Sequence, residues 1–187
     1  IASVVETLLE ALLLVILVVW LFLGSWRATV IPAIAIIVSL IATLAVIYAI
    51  GFSLNMLTLF ALVLVIGTVV DDAIVVVEAV QARLESAEGS NSKQMTVQAM
   101  HGITSALVTT TLVFMAVFVP VCFIGGVTGT FYTQFGLTMA IAVGISLFNA
   151  LTLCPALCAL IMKPNEKKAA KGIQTRFNKG FTALVTR

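Results

Sequence analysis

The sequence predicts an all-α membrane protein: a bundle of about five transmembrane helices followed by a basic amphipathic helix on the membrane surface. Three observations predict it. The 187 residues are 61% hydrophobic and 10% charged, with a mean hydropathy of +1.21, whereas a soluble domain carries about 25% charged residues. The apolar residues gather in runs of about 20 or more, the length a helix needs to cross a bilayer. All ten Lys and Arg residues sit after alternate runs. Almost nothing is left for a soluble domain, and the net charge of +2 says less than the placement of the charges.

The first run covers about 4–23, with Glu6 and Glu10 near its start, and ends at Gly24-Ser25-Trp26-Arg27. Trp20 and Trp26 suit a belt at headgroup level. The second run, about 28–50, holds Pro32 in its first turns, where a missing N–H does least harm. Gly51-Phe52-Ser53 is a break too short for anything but a hairpin between antiparallel helices. The third run, about 54–84, is followed by a polar linker from Glu85 to about Ser92. From Gly102 to Met162 no residue is charged, and the Gly-rich stretch 122–130 divides this region into a fourth span, 102–121, and a fifth, 134–162. The fifth exceeds what a bilayer needs, so it tilts, protrudes or bends, with Pro155 the expected bend.

The transmembrane bundle is thus expected over 1–162. Over 163–187, Ile173, Phe177, Phe181 and Leu184 recur at three- and four-residue steps among Lys and Arg, the pattern of an interfacial helix held by lipid or of the start of a further element. Arg27 follows the first span, Arg83 and Lys93 the third, and the other seven basic residues the fifth. By the positive-inside rule these segments are cytoplasmic and the amino terminus lies outside. The chain opens with Ile, shows no signal-peptide pattern, and reads as a portion of something longer.

Asp71 and Asp72 stand side by side in the third run, and nothing charged precedes them back to Arg27. An ionised carboxylate at the bilayer centre costs roughly 2.5–3.5 kcal/mol on insertion scales. Two neighbours persist there only if protonated, paired or lining a hydrated path, and acids so placed usually move protons or ions. In low dielectric they cannot both ionise cheaply and they titrate as a pair. At 100° per residue Gly67, Asp71 and Glu78 share a narrow stripe, with Thr68, Asp72 and Val75 beside it, so that face turns to other helices or a crevice rather than lipid. Gly67 leaves room for a neighbour to approach. Glu78, two turns on, is read as the point where the helix meets water, with a proton relay as the alternative.

No Lys or Arg lies inside any span, so a cation for the pair has to come from elsewhere. Thr109, Thr110 and Thr111 are expected to bond back to their own helix, and Asn149 to bond a neighbouring helix. His101 is placed at the membrane edge, in water. Cys122, Cys154 and Cys158 are isolated thiols. Cys154 and Cys158 could share a face, but two thiolates without His or carboxylate make a poor metal site, so no metal is expected. No nucleotide-binding loop, zinc motif or Ser/His/Asp set is present, so neither an enzyme nor a nucleic-acid binder is expected.

The run 67–78, G-T-V-V-D-D-A-I-V-V-V-E, resembles the fourth transmembrane helix of the resistance–nodulation–cell division (RND) superfamily, in the hydrophobe/amphiphile efflux branch typified by AcrB. Leu21-Phe22-Leu23 with Arg27-Ala28-Thr29 and Ile31-Pro32 resembles that family's junction of spans two and three. Gly51-Phe52-Ser53-Leu54-Asn55 is similar to its next external turn, Phe118-Val119-Pro120 with Gly125-Gly126 to its fifth-span exit, and Pro155-Ala156-Leu157-Cys158-Ala159 to its sixth span.

The resemblance implies that the chain is spans two to six of the first repeat of a proton-driven pump exporting hydrophobic or amphiphilic compounds from the bacterial inner membrane. It implies that Asp71 and Asp72 carry the protons, with Gly67, Thr68 and Glu78 in support and the proton as coupling ion in place of a cofactor. It further implies an intramembrane Lys from the second half, a homotrimer, a periplasmic adaptor and an outer-membrane channel. Ala79 stands where Asn is common in the family, and Asn149 is unusually polar for its place. The metal-exporting branch, the alternative reading, usually keeps one acid where this chain has two, so the Asp71-Asp72 pair favours drug efflux over metal export; a truncated module that only packs against partner helices is a further alternative.

Overall fold

Six helices follow one another with no strand among the described residues: α1 (Ala2–Leu23), α2 (Trp26–Ile50), α3 (Met56–Ser86), α4 (Ser92–Val121), α5 (Gly129–Leu151) and α6 (Leu153–Ile161). The computed structural model describes residues 2–53, 55–86, 91–126 and 128–162. Among the described residues four stretches are long and apolar enough to cross a membrane: α2, α3, α4, and α5 with α6 taken together, while α1 carries a shorter apolar segment, Leu9–Leu21. The all-α membrane class therefore stands. The expected surface helix over 163–187 lies outside the described residues.

The boundaries have local causes. Gly51 ends α2 at φ 81°, and its left-handed backbone lets the chain fold back to the carbonyls of Ile47 and Tyr48. Asn55 opens α3 by accepting from the amides of Leu57 and Thr58, at 2.9 Å each, while the Thr58 hydroxyl accepts from the Asn55 amide. Pro32 lies six residues inside α2 rather than in its first turn, so the Ala28 carbonyl has no proline amide to receive. Membrane helices accept such positions.

Two expected boundaries move. The fourth span, expected to begin at 102, belongs to a helix that starts at Ser92, ten residues earlier. Asn91 caps it by accepting from the Lys93 amide at 3.2 Å. Met95, Thr96 and Ala99 then bury one face of that first section, which also carries Lys93, Gln94, Gln98 and His101. The fifth span, expected from 134, begins at Gly129 and breaks at Thr152. Pro155 has no N–H for the Leu151 carbonyl and its ring crowds that position, so the break falls three residues ahead of the proline. The interruption expected at Pro155 is therefore found about one turn earlier, at Thr152.

α3 is the centre of the bundle and touches every other helix. Its apolar face is divided in two. Ala61, Val65, Ile66 and Val69 pack with Ile36, Met139 and Ala142 in one cluster. Ala73, Val76, Val77 and Val80 pack with Ile31, Cys154 and Cys158 in the other. Asp71 and Asp72 fall at the junction between the two.

Candidate functional site

Consecutive residues on a helix point about 100° apart, and α3 uses that angle to send its two carboxylates to different places. Asp72 turns to α5, where its Oδ2 accepts a 2.6 Å hydrogen bond from the Ser146 hydroxyl. Ser146 is buried and Asp72 half-buried. Asp71 is exposed in the chain and opens onto a groove of about 640 Å³ between α1 and α3. Gly67 and Glu78 line that groove with Asp71 on the α3 side, and Val15, Val18 and Val19 form part of its α1 wall. A Cβ built on Gly67 would meet nothing within 4 Å, so the groove is open one turn from Asp71.

The structure therefore brings Gly67, Asp71 and Glu78 together and leaves Asp72 on a separate wall. Thr68 joins neither carboxylate: its hydroxyl donates to the Val65 carbonyl of its own helix at 3.0 Å. Ser146 was not among the residues expected at the site. Its signal in the sequence is slight, a small polar residue three positions before Asn149 in an uncharged span.

The polar layer extends past the carboxylates. Asn149 Nδ2 donates to Ser39 Oγ on α2 at 2.7 Å, and both residues are buried. This is the interhelical role read for Asn149. Thr43 adds a 2.7 Å bond from its hydroxyl to the Ser39 carbonyl. Thr138, two turns before Ser146, is the buried side-chain polar atom without a partner among the described residues. Thr109 and Thr110 bond back to the carbonyls of Ser105 and Leu107, as their placement suggested.

Chemically, a serine hydroxyl both donates and accepts, so Ser146 can partner Asp72 in either protonation state. Asp71, facing open space, is placed to meet a water or a charge that enters the groove. One carboxylate is thus held by a neighbouring helix and the other open to a groove.

Fold and site together define a multi-helix membrane protein with a polar centre buried between apolar layers. The profile of the AcrB/AcrD/AcrF family matches residues 1–187, and the chain belongs to that family. It is 46% identical over 189 residues to the toluene efflux pump membrane transporter TtgB of Pseudomonas putida, covering 99% of the chain. It is 49% identical over 162 residues to the multidrug export protein AcrF of Escherichia coli, covering 87% of the chain. The multidrug resistance protein MdtF of Escherichia coli is 44% identical over 183 residues, 97% of the chain. The chain spans only 16–18% of the length of these curated relatives.

Proposed function

We propose that this chain is the proton-translocating membrane portion of a proton-driven efflux pump, with Asp71 and Asp72 as the groups that carry the proton. The observation that carries the reading is the division of the acid pair at the centre of α3, Asp72 bonded to Ser146 and Asp71 open to the α1–α3 groove. Protons are the cargo that two carboxylates with different access can exchange without a cofactor. The names of the relatives, which describe export of toluene and of multiple drugs, support hydrophobic and amphiphilic compounds as what the complete pump exports.

On this reading the groove receives helices of the remaining polypeptide, including an intramembrane Lys that meets Asp71. The complete pump is a homotrimer in the bacterial inner membrane, with a periplasmic adaptor and an outer-membrane channel as partners. The end of the bundle bearing Arg27, Arg83 and Lys93 faces the cytoplasm and the amino terminus faces the periplasm. Gly67 keeps the approach to Asp71 open, and Glu78 marks the groove's run toward the basic end.

The test is made in the complete transporter. Asp71→Asn and Asp72→Asn are expected to abolish proton-driven efflux while expression holds. Asn keeps the shape, and at position 72 it keeps an oxygen for the Ser146 hydroxyl, but it exchanges no proton. Glu78→Gln is expected to do much less. Full drug resistance in cells carrying the double Asn variant would leave the acids as structural contacts and sink the reading.

A further inference from the structure

Asn149 is the feature of the polar layer that the proton-carrying pair does not itself require. A carboxamide among apolar helices is stable only with a partner, and here the partner is specific: Ser39 Oγ on α2, at 2.7 Å, with Ser39 0% and Asn149 6% exposed. Asn149 lies three residues beyond Ser146 on α5, a spacing that makes them neighbours on one helix face. The two bonds leave that face in different directions, Ser146 to α3 and Asn149 to α2. A helix joined by one hydrogen bond can still rotate about it. Two bonds to two different helices, one turn apart, fix both its rotation and its height. Beside Ser39 the α2 backbone is held too, since Thr43 donates to the Ser39 carbonyl.

We propose that the Ser39–Asn149 hydrogen bond sets the rotation of α5 that presents the Ser146 hydroxyl to Asp72, making Ser39 and Asn149 positioning residues for the proton carrier. They touch neither carboxylate and act through Ser146. The inference rests on the proton-carrying reading for its functional meaning, while its geometry stands apart from it. The surroundings of Asp72 leave Ser146 as the group through which α5 acts. Asp71 is its neighbour on α3, and the Cys154 thiol on α6 lies within electrostatic reach. Between their end turns α2 and α5 carry no titratable residue; on α4 His101 lies exposed near the Ser92 end, and on α1 Glu6 and Glu10 lie near the Ala2 end.

The experiment is infrared difference spectroscopy of the complete transporter through a pH step, reading the carboxyl C=O stretch of protonated Asp72, identified by its loss in Asp72→Asn. Ser146→Ala removes the hydrogen bond directly and is expected to move the band to higher wavenumber. Asn149→Leu, which keeps the branching at Cγ but removes both polar atoms, is expected to reproduce that displacement. Ser39→Val and Ser39→Thr differ only in the hydroxyl, so Val is expected to displace the band and Thr to keep it.

Because Asn149→Leu leaves Ser39 without its partner and could impair folding, the double variant Ser39→Val/Asn149→Leu removes both polar groups at once. It is expected to fold and still show the displaced band. A folded double variant with the band in its original place, while Ser146→Ala displaces it, overturns the positioning role. So does a band that Ser146→Ala leaves unmoved. Proton-driven efflux surviving Asp72→Asn removes the functional reading instead, and the band positions still decide whether Ser39 and Asn149 orient Ser146.

Discussion

Asp71 and Asp72 differ by one position and have different neighbours, and the reason is the helical angle rather than anything in their own chemistry. Asp72 reaches Ser146, so any proton it takes or gives is exchanged beside a fixed hydroxyl. Asp71 reaches open space, so its partner changes with whatever enters the groove. Gly67 lines the groove one turn from Asp71. Replacing it with Ala adds a methyl into vacant space and removes a helix-interior glycine, a gain of about 0.5–1 kcal/mol. Gly67→Leu is expected to fold equally well but to fill the groove one turn from Asp71. Transport by the complete protein is then expected to fall at least about tenfold, roughly 1.4 kcal/mol in barrier, while Gly67→Ala retains most of it. A Leu variant pumping at the original rate in a vesicle efflux assay would show that nothing approaches Asp71 from this side.

At the scale of the helices, α4 and α5 meet through small residues. A Cβ on Gly136 would lie 2.9 Å from the Phe118 carbonyl oxygen and 3.0 Å from the Cys122 sulfur, whereas one on Gly144 would meet only the mobile end of Met115 at 3.3 Å. Backbone cannot yield as a methionine tip can. Gly136→Val is expected to destabilise the protein by about 1–3 kcal/mol, and Gly144→Ala to cost little, as read from thermal unfolding of the purified protein. Equal melting temperatures for the two would mean that the helices are free to separate.

The same elements show what a sequence reveals. The ends of α2 and α3 were legible to within two residues, because Gly51 and the polar Ser53–Asn55 turn are strong local signals. The acid pair was legible because charge stands out in an apolar run. The first ten residues of α4 were not, since a hydropathy run passes over Lys93, Gln94, Gln98 and His101, while the helix depends on the spacing of Met95, Thr96 and Ala99. Ser146 was hidden for another reason. A lone hydroxyl in a span commonly bonds its own helix, as Thr104 and Thr152 do here, and which one faces Asp72 is settled only when α5 packs on α3.

For the whole molecule, the antiparallel course of the helices gathers Arg27, Arg83 and Lys93 at one end, where the Ser92 hydroxyl also binds the Met162 carbonyl at 2.7 Å and ties the start of α4 to the end of α6. The opposite end holds Gly51, Gly125 and the Asn55–Gln134 hydrogen bond, with no basic residue in either turn. Basic loops resist crossing the membrane, which is the ground for the proposed orientation with the Arg27 end in the cytoplasm. On the proposed orientation, a proton carried along α3 would travel from the Gly51 end past the carboxylates toward the Arg27 end. Asn91 and Gly125 are exposed and lie at the two ends, which makes them the positions to test. In a background with Cys122, Cys154 and Cys158 replaced by Ala, Gly125→Cys is expected to react with an impermeant maleimide added outside intact spheroplasts. Asn91→Cys is expected to react only after the membrane is opened. Labelling of both from the same side would reverse the antiparallel course of α4, and with it the assignment of which end supplies protons to Asp71 and Asp72.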